Sequence, residues 1–334
     1  MLSYIIRRII YMIVVLLVLS VVSFFIIQLP PGDFLTAFIE NMRAQGTVVG
    51  EEQILLLKTY YGLDQPMYLQ YLRWLGNLLQ GDLGQSFQWN QPVTELIKER
   101  LALTVTISLI SLVLTYLIAI PIGIYSATHQ YSLGDYAFTV FGFMGLATPN
   151  FLLALVLMFL LYKYAGWSVG GLFSPEYVVA PWSLGKVVDL LKHLPIPLVV
   201  ISTAGTAWTI RVMRGCLLDE LKKQYVITAR SKGLTERSLL MKYPIRIAIN
   251  PVISTIGGLL PTIISGATLT SIVISLPTIG PLLLRALRAQ DMFLAGSMLM
   301  LLSALGIIGN LISDMLLVAI DPRIRFENQA QVRS

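Results

Sequence analysis

Long runs of apolar residues without a charge recur along the chain of 334 residues and are separated by polar segments. A helix needs about 20 mostly apolar residues to cross a hydrocarbon layer ~30 Å thick, and charges inside that layer are costly. Six runs have this character: residues 9–27, 101–128, 136–162, 194–210, 247–284 and 292–313. The pattern predicts an all-α integral membrane protein with six transmembrane helices.

Two of these runs are not simple spans. The run 194–210 is short and contains two prolines. The run 247–284 is too long for one span, so we expect one helix to about Ser275, a turn around Pro277 and a short return segment. Because six spans return the chain to its starting side, both termini are expected on the same face of the membrane.

Composition supports the membrane prediction and excludes other classes of protein. Hydrophobic residues make up 56% of the chain and charged residues 13%, whereas a soluble domain has about 25% charged residues. The single cysteine, Cys216, has no intrachain partner, which excludes a disulfide scaffold. We attribute the net charge of +6 to basic loops on the cytoplasmic side rather than to nucleic-acid binding.

The distribution of lysine and arginine predicts the orientation, because short cytoplasmic loops are enriched in these residues. The segment 211–246 carries nine of them, Arg7 and Arg8 precede the first run, and three arginines follow the last run. With both termini inside, these basic residues all fall on the cytoplasmic face. The predicted orientation is therefore N-in and C-in.

The spans and loops divide the chain into four predicted parts. A large extracytoplasmic segment is expected to contain amphipathic helices at 51–61 and 65–79, each followed by a glycine. The piece 163–193 is expected to be loop-like because it contains paired glycines and two prolines. The parts are residues 1–29 (first transmembrane helix), 30–100 (extracytoplasmic segment), 101–320 (five-helix core with a cytoplasmic loop at about 216–246) and 321–334 (cytoplasmic tail).

Several kinds of chemical site have no motif in this sequence. It has no G-x-x-x-x-G-K-[ST] nucleotide loop, no H-E-x-x-H zinc motif and no G-x-S-x-G elbow, and its two histidines, His129 and His193, are far apart. We therefore predict no catalytic residue and no metal site. Asp314, near the cytoplasmic end of the sixth span, is the one acidic residue in an apolar stretch. Ion-coupled carriers, in contrast, usually keep ionisable residues at membrane depth. The driving energy is expected to come from a partner.

The segment 219–244 has the pattern helix, glycine, helix. Four apolar residues recur at helical spacing and predict one apolar stripe: Leu218, Leu221, Tyr225 and Ala229. Gly233 suits the left-handed conformation that terminates a helix. Thr235 is expected to cap the next helix with Glu236 near its positive end, and Pro244 to interrupt that helix. The segment is either an exposed docking element or a solvated loop that is basic only because of its topology.

The loop around Gly233 resembles the cytoplasmic loop of ABC-importer permeases of the dipeptide and oligopeptide class, in the residues Tyr225-Val226-x-Thr228-Ala229-Arg230-x-Lys232-Gly233-Leu234. In that superfamily a loop with an E-A-A-x-x-x-G core docks into a cleft on the ATPase subunit. Here the alanine places hold Thr228 and Ala229, and the glutamate place holds Ile227. The resemblance implies ATPase-coupling roles for Tyr225, Thr228, Ala229, Arg230, Lys232, Gly233, Leu234 and Glu236.

Further motifs extend the resemblance over nearly the whole chain. Each is weak alone, but their order along six predicted spans is specific. Three aspartates inside these motifs, Asp33, Asp64 and Asp82, are expected to cap helices or form turns rather than bind ligands. The motifs are Tyr4-Ile-Ile-Arg-Arg8, Pro31-Gly32-Asp33, Gly62-Leu63-Asp64-x-Pro66, Gln70-Tyr71-x-x-Trp74, Gly81-Asp82-Leu83-Gly84-x-Ser86, Pro92-Val93, Leu276-Pro277-x-Ile279-Gly280 and Asp321-Pro322-Arg323-Ile324-Arg325.

The resemblance implies a type I ABC-importer-like permease fold in the bacterial inner membrane. It implies that the chain forms half of a translocation pathway with a second homologous permease, above two ABC ATPase subunits that bind ATP and Mg²⁺. It also implies an extracytoplasmic solute-binding protein, contact with membrane lipid, no nucleic acid and no cofactor in this chain. The implied solutes are di- and oligopeptides, with oligosaccharides, glutathione or nickel as alternatives. A stand-alone secondary transporter or channel and a membrane-embedded enzyme are the weaker alternatives.

Hydroxyl residues in the fourth and fifth runs are candidates for lining a polar pathway. Small hydroxyl residues equally allow close packing of membrane helices. Both interpretations stay open for these positions. The candidates are Ser202, Thr203, Thr206, Ser265, Thr268 and Thr270.

Overall fold

In the computed structural model, most of the described residues lie in α-helices. No β-strand occurs among the residues it describes, and the all-α prediction is confirmed for that part of the chain. Pro31-Gly32-Asp33, Ser265 and the motif at 321–325 lie outside it. The described residues are 2–28, 64–166, 170–256 and 268–320, together with 35, 39, 50, 54–56, 58 and 59.

Several helices begin or end at capping side chains, glycines or prolines. Ser132 accepts a hydrogen bond from the Asp135 backbone N–H, and Gly166 ends a helix with a φ of +66°. The helices are α1 (Leu2–Gln28), α2 (Met67–Leu79), α3 (Val93–Thr128), α4 (Leu133–Ala147), α5 (Asn150–Ala165), α6 (Pro175–Val178), α7 (Leu184–His193), α8 (Pro195–Leu221), α9 (Gln224–Ser231), α10 (Glu236–Lys242), α11 (Pro244–Ala248), α12 (Asn250–Ser254), α13 (Thr268–Val273), α14 (Ile279–Arg288) and α15 (Met292–Ile320).

The chain divides into two compact units, the first of which comprises residues 1–104 and 277–305. Its core is built around Trp74, which packs with Phe24 of α1. Gly296 of α15 lies so close to the indole ring that a Cβ would meet it at 3.0 Å. Large apolar side chains from several helices therefore bury one another in this unit.

A buried carboxylate joins the loop between α2 and α3 to the start of α15 in the first unit. Asp291 is fully buried and accepts hydrogen bonds from Ser86 Oγ (2.5 Å) and the Leu294 backbone N–H (3.2 Å). Burial raises the pKa of Asp291, and these hydrogen bonds partly offset the increase. Gly84 has a φ of +76°, and a Cβ there would lie 2.6 Å from the Phe293 ring. The loop therefore needs glycine at this position.

The second unit comprises residues 105–276 and 306–334. Its central helix is α8, which packs against α4, α5 and α11. Gly123 of α3 lets that helix approach α8 closely, because a Cβ would lie 2.8 Å from the Met213 side chain. The unit holds the segment that resembles an ATPase-docking loop.

Four helices among the described residues are long and apolar enough to cross a membrane by length and composition: Ile10–Gln28, Val93–Thr128, Leu184–Leu221 and Met292–Leu317. The pair α4 and α5 raises the number to five if it forms one span. This pair bends by 106° where Thr148 and Pro149 separate the helices, so the run 136–162 is not one straight helix. Residues 257–267 of the fifth run lie outside the described part. Six spans and the N-in, C-in orientation stay predictions.

The expectation of a loop-like piece at 163–193 is wrong for its second half. Two helices occur there, α6 and the ten-residue α7. Ser183 caps α7 by accepting a hydrogen bond from the Lys186 backbone N–H (3.3 Å). The glycines and prolines that suggested a loop lie before this cap, and the helical spacing of Leu184, Val188 and Leu191 was the missed signal.

Candidate functional site

The segment formed by α9, α10 and their flanking turns, residues 222–243, is the candidate coupling segment. It has the predicted pattern of helix, glycine and helix. However, a turn at Lys222 and Lys223 separates α9 from α8, so the predicted single stripe from Leu218 to Ala229 is wrong. Its first two residues, Leu218 and Leu221, pack with α8 neighbours, and the last two belong to a separate cluster inside the coupling segment.

Gly233 ends the first helix of the coupling segment in the predicted left-handed conformation. Its φ is +78°, and its N–H donates to the Arg230 carbonyl oxygen (3.0 Å). No heavy atom lies within 4 Å of the position that a Cβ would occupy. The glycine is therefore required here by backbone conformation and leaves open space at the exposed tip.

A small apolar cluster holds α9 against α10. Val226, Ala229 and Leu239 are buried, with Tyr225 and Tyr243 among the half-buried side chains around them. A three-residue core would not support an isolated domain, so the segment depends on its attachment to the ends of α8 and α11. Pro244 begins α11 directly after α10, as expected from its position in the sequence.

The charged side chains of the coupling segment form one exposed ion pair. Arg230 donates from Nε to Glu236 Oε1 (2.6 Å) and from Nη2 to Oε2 (3.1 Å). The hydrogen bonds raise the pKa of Arg230 and lower that of Glu236. Solvent screens this pair, so it orients the turn more than it stabilises it. Thr235 stands at the N-cap of α10 but its side chain makes no capping hydrogen bond, contrary to the prediction.

Tyr225 connects the coupling segment to the last turn of α8. Its hydroxyl donates to the Glu220 carboxylate. Burial and the neighbouring carboxylate together raise the pKa of Tyr225 above its usual value. The aromatic ring packs on the apolar cluster while its hydroxyl fixes the direction in which α9 leaves α8.

The outward face of the coupling segment combines small, basic and apolar residues. Thr228, Lys232 and Gly233 are exposed, and Leu234 is half-buried beside them. Ile227, which stands at the glutamate place of the general motif, is 46% exposed. This surface offers backbone, positive charge and one aliphatic side chain to a partner, and it contains no arrangement suited to covalent chemistry.

A second ion pair involves the C-terminal half of α8, with a buried carboxylate and a half-buried guanidinium. Arg214 donates from Nε to Asp135 Oδ1 and from Nη2 to Oδ2, both at 2.9 Å. The Tyr131 backbone N–H also donates to Oδ2 (3.0 Å). The pair joins the start of α4 to α8, and sequence reasoning missed it because 79 residues separate its members. Only the capping position after Ser132 could have drawn attention to Asp135.

The hydroxyl residues proposed for a pathway do not share one environment. Ser202 and Thr270 are buried between helices, and Thr203, Thr206 and Thr268 are half-buried. Ser202 and Thr203 donate to carbonyl oxygens one turn back in their own helix. Lining of a pathway by these residues stays a prediction, and Ser265 lies outside the described residues. No group of three or more His, Cys, Asp or Glu residues suited to a metal occurs in the described part.

The chain matches two families of known proteins. Residues 119–326 match the family described as binding-protein-dependent transport system inner membrane component. Residues 1–109 match the N-terminal family of the same kind of membrane component. Together the two family matches cover nearly the whole chain.

Several proteins are similar to the chain over nearly its whole length. The oligopeptide transport system permease protein AppB of Bacillus subtilis (strain 168) is 36% identical over 98% of this chain and 100% of the relative. A relative from Brucella ovis, named as a peptide permease, is 33% identical over 97% of this chain and 99% of its own length. A third relative, from Sinorhizobium fredii, is named as a peptide ABC transporter permease. It is 29% identical over 97% of this chain and 99% of its own length. With these full-length relatives and the family matches, the chain belongs to the inner membrane components of binding-protein-dependent transport systems.

Proposed function

We propose that this chain is the permease subunit of a peptide ABC importer and forms half of its translocation pathway. The observation that carries the proposal is the full-length similarity to AppB, an oligopeptide transport system permease protein. The geometry of residues 222–243 supports it, because a compact exposed element with an open glycine tip suits docking into a cleft. ATP hydrolysis is assigned to two partner ATPase subunits, which would hold ATP and Mg²⁺.

The proposed architecture is the type I importer fold with six spans and both termini in the cytoplasm. The basic segment around residues 211–246 supports this orientation by its lysine and arginine content. A second homologous permease would complete the pathway, and a solute-binding protein would deliver the solute on the opposite side. The large segment 30–100 would then be extracytoplasmic.

The proposed mechanism transmits motion from the ATPases through this chain to the membrane helices. Closure of the ATPase pair on ATP would carry the coupling segment with it. Tyr225 and Glu220 would pass the displacement to α8, and the Arg214–Asp135 pair would pass it on to α4. Alternating access follows if α4 and α8 move as one body, and hydrolysis would reset the pathway.

The proposed solutes are di- and oligopeptides, as the names of the relatives from three bacteria indicate for those proteins. Oligosaccharides, glutathione or nickel are the alternative solutes for the same machinery. Calorimetry of the cognate binding protein with each class would separate them, because that protein selects the solute. Binding of a sugar or of nickel without binding of peptides would contradict the peptide assignment.

The docking role can be tested at Gly233 with a matched control at Gly166. Both glycines end a helix with positive φ, and neither has a heavy atom within 4 Å of the place where a Cβ would lie. Valine at either site costs on the order of 1–3 kcal/mol of local strain. We expect Gly233→Val to insert and fold but to lose ATP-dependent uptake, and Gly166→Val to retain uptake. Uptake that is normal in Gly233→Val would contradict the docking role.

A further inference from the structure

The start of the fifth apolar run is divided into short helices instead of forming one membrane helix. α11 and α12 have five residues each, and Ile249 alone separates them. Pro251 lies in the first turn of α12 and has no backbone N–H. The carbonyl oxygen of Ile247, four residues earlier, therefore lacks the donor that a continuous helix would give it. The regular hydrogen-bond pattern of a helix is interrupted at this point.

Side-chain hydroxyls at the end of α12 satisfy carbonyl oxygens that follow this interruption. Ser254 Oγ donates to the Pro251 carbonyl oxygen (2.7 Å). Thr255 Oγ1 donates to the Val252 carbonyl oxygen (2.7 Å), and the Thr255 backbone N–H donates to the same oxygen (3.3 Å) with the tighter spacing of three residues. Hydroxyls of Ser and Thr can serve such carbonyl oxygens without a regular helix, so the turn keeps its partners where the helix is broken.

Two neighbouring helices support the same turn from the side. Ser313 Oγ of α15 donates to the Ile253 carbonyl oxygen (2.7 Å), and Ser313 is buried. The Tyr116 hydroxyl of α3 lies 3.4 Å from the Val252 carbonyl oxygen and 3.3 Å from Thr255 Oγ1. At membrane depth these carbonyl oxygens need partners from the protein, because lipid offers none. The turn is therefore held by α3 and α15 as well as by its own side chains.

The chain before the turn is fixed to α8. Met213 and Leu217 of α8 belong to one buried apolar cluster with Ile245 of α11 and Val252 of α12. Pro244 begins α11 directly after the coupling segment. A displacement of the coupling segment would therefore carry α8 and α11 together. A change of direction in the fifth run would then fall on the turn that follows α11, where the helical hydrogen bonds are interrupted.

We propose that residues 249–255 form a hinge in the fifth run, at which the direction of the chain changes relative to α8 and α11 during transport. A hinge absorbs a change of backbone direction at a few residues while the packed helices beside it stay rigid. Tyr116 and Ser313 support the carbonyl oxygens of the hinge. Its use in transport rests on the proposed function, whereas bending at the hinge is a property of this chain alone.

A second proline in the same unit provides a matched control. Pro121 lies inside α3, which continues through it without a break, and both prolines have exposed side chains. Alanine at either position restores a backbone N–H and favours a continuous helix. We therefore expect Pro251→Ala and Pro121→Ala to resist denaturing detergent at least as well as the unaltered protein. Only Pro251→Ala should remove a hinge.

Pulsed electron–electron distance measurements on the full-length protein in lipid nanodiscs test the hinge without any partner subunit. In a Cys216→Ser background, nitroxides at Ile247→Cys and Leu269→Cys lie on either side of the hinge along the chain, at exposed positions. We expect a broad distribution of distances that Pro251→Ala narrows and that Pro121→Ala leaves unchanged. Distributions of equal width in the unaltered protein and in Pro251→Ala would overturn the hinge.

Uptake by the assembled complex gives the second readout. Pro251→Ala should lower ATP-dependent uptake severalfold without lowering resistance to denaturing detergent, and Pro121→Ala should retain uptake. A loss of both uptake and resistance in Pro251→Ala would mean that this proline is only structural, and normal uptake would contradict the role of the hinge in transport. Absence of ATP-dependent uptake in the unaltered complex would instead contradict the proposed function, and the distance measurement would still decide whether the hinge exists.

Discussion

Removal of the Asp135 carboxylate should destabilise the second unit strongly, because it leaves the Arg214 guanidinium without its partner. The Asp135 side chain is 3% exposed and that of Arg214 is 28% exposed. Asp135→Asn keeps the shape of the side chain but removes its charge and one of its two acceptor oxygens for Arg214. The two N–H donors bond to different carboxylate oxygens, each at 2.9 Å, so in the amide one of them would face an NH2 group instead of an acceptor.

The expected loss follows from the burial of the two partners. Breaking a buried ion pair by removing one member costs about 3–5 kcal/mol of unfolding free energy. Because Arg214 keeps part of its hydration, we expect Asp135→Asn to cost about 2–3 kcal/mol. The double variant Asp135→Asn with Arg214→Gln should lose less than the sum of the two single variants, since no charge is then left unpaired.

Unfolding of the purified protein in mixed micelles of increasing denaturing detergent measures these differences. The exposed pair Arg230 and Glu236 provides a matched control, because it has the same two-bond geometry without burial. Glu236→Gln should leave the unfolding transition unchanged. The reasoning would be refuted if the Asp135 and Glu236 variants shifted the transition equally, or if the double-variant losses were additive.

Three further predictions concern other parts of the chain. Burial raises the pKa of Asp291. Its contribution to folding stability is therefore complete below the ordinary pKa of 3.8 and is lost as the pH rises through the raised pKa. Thermal unfolding measured across pH should show this loss of stability in the unaltered protein and a flatter profile in Asp291→Asn. In a Cys216→Ser background, Gln80→Cys should react with an impermeant thiol reagent outside intact cells and Ser231→Cys should not; the opposite labelling would overturn the predicted orientation. Tyr225→Phe removes the hydroxyl that donates to Glu220 and should lower solute uptake per ATP hydrolysed, whereas an unchanged ratio would remove this bond from the proposed mechanism.

Local features of the sequence predicted where the helices of the coupling segment are interrupted at Gly233 and Pro244. The need for positive φ at Gly233 and the break at Pro244 depend on the residue itself, so neighbouring residues suffice to predict them. The apolar runs likewise predict membrane helices because length and hydropathy are local properties. The helical spacing of apolar residues was misleading across Lys222 and Lys223. In the sequence this spacing continues through both lysines, but in the structure a turn separates two helices there.

The pairings between distant residues were beyond sequence reasoning. Arg214 and Asp135 are 79 residues apart, and Ser86 and Asp291 are 205 apart. Their contact depends on how the helices pack, which hydrophobic periodicity does not specify.

Transport by the reconstituted protein tests the central claim most directly. We predict that the chain alone in liposomes moves no solute under a proton or sodium gradient. Peptide uptake should appear when the second permease, both ATPase subunits, the binding protein and internal ATP are present, and it should persist when ionophores collapse the gradients. Gradient-driven, ionophore-sensitive uptake by the isolated chain would contradict the account and would identify a secondary transporter.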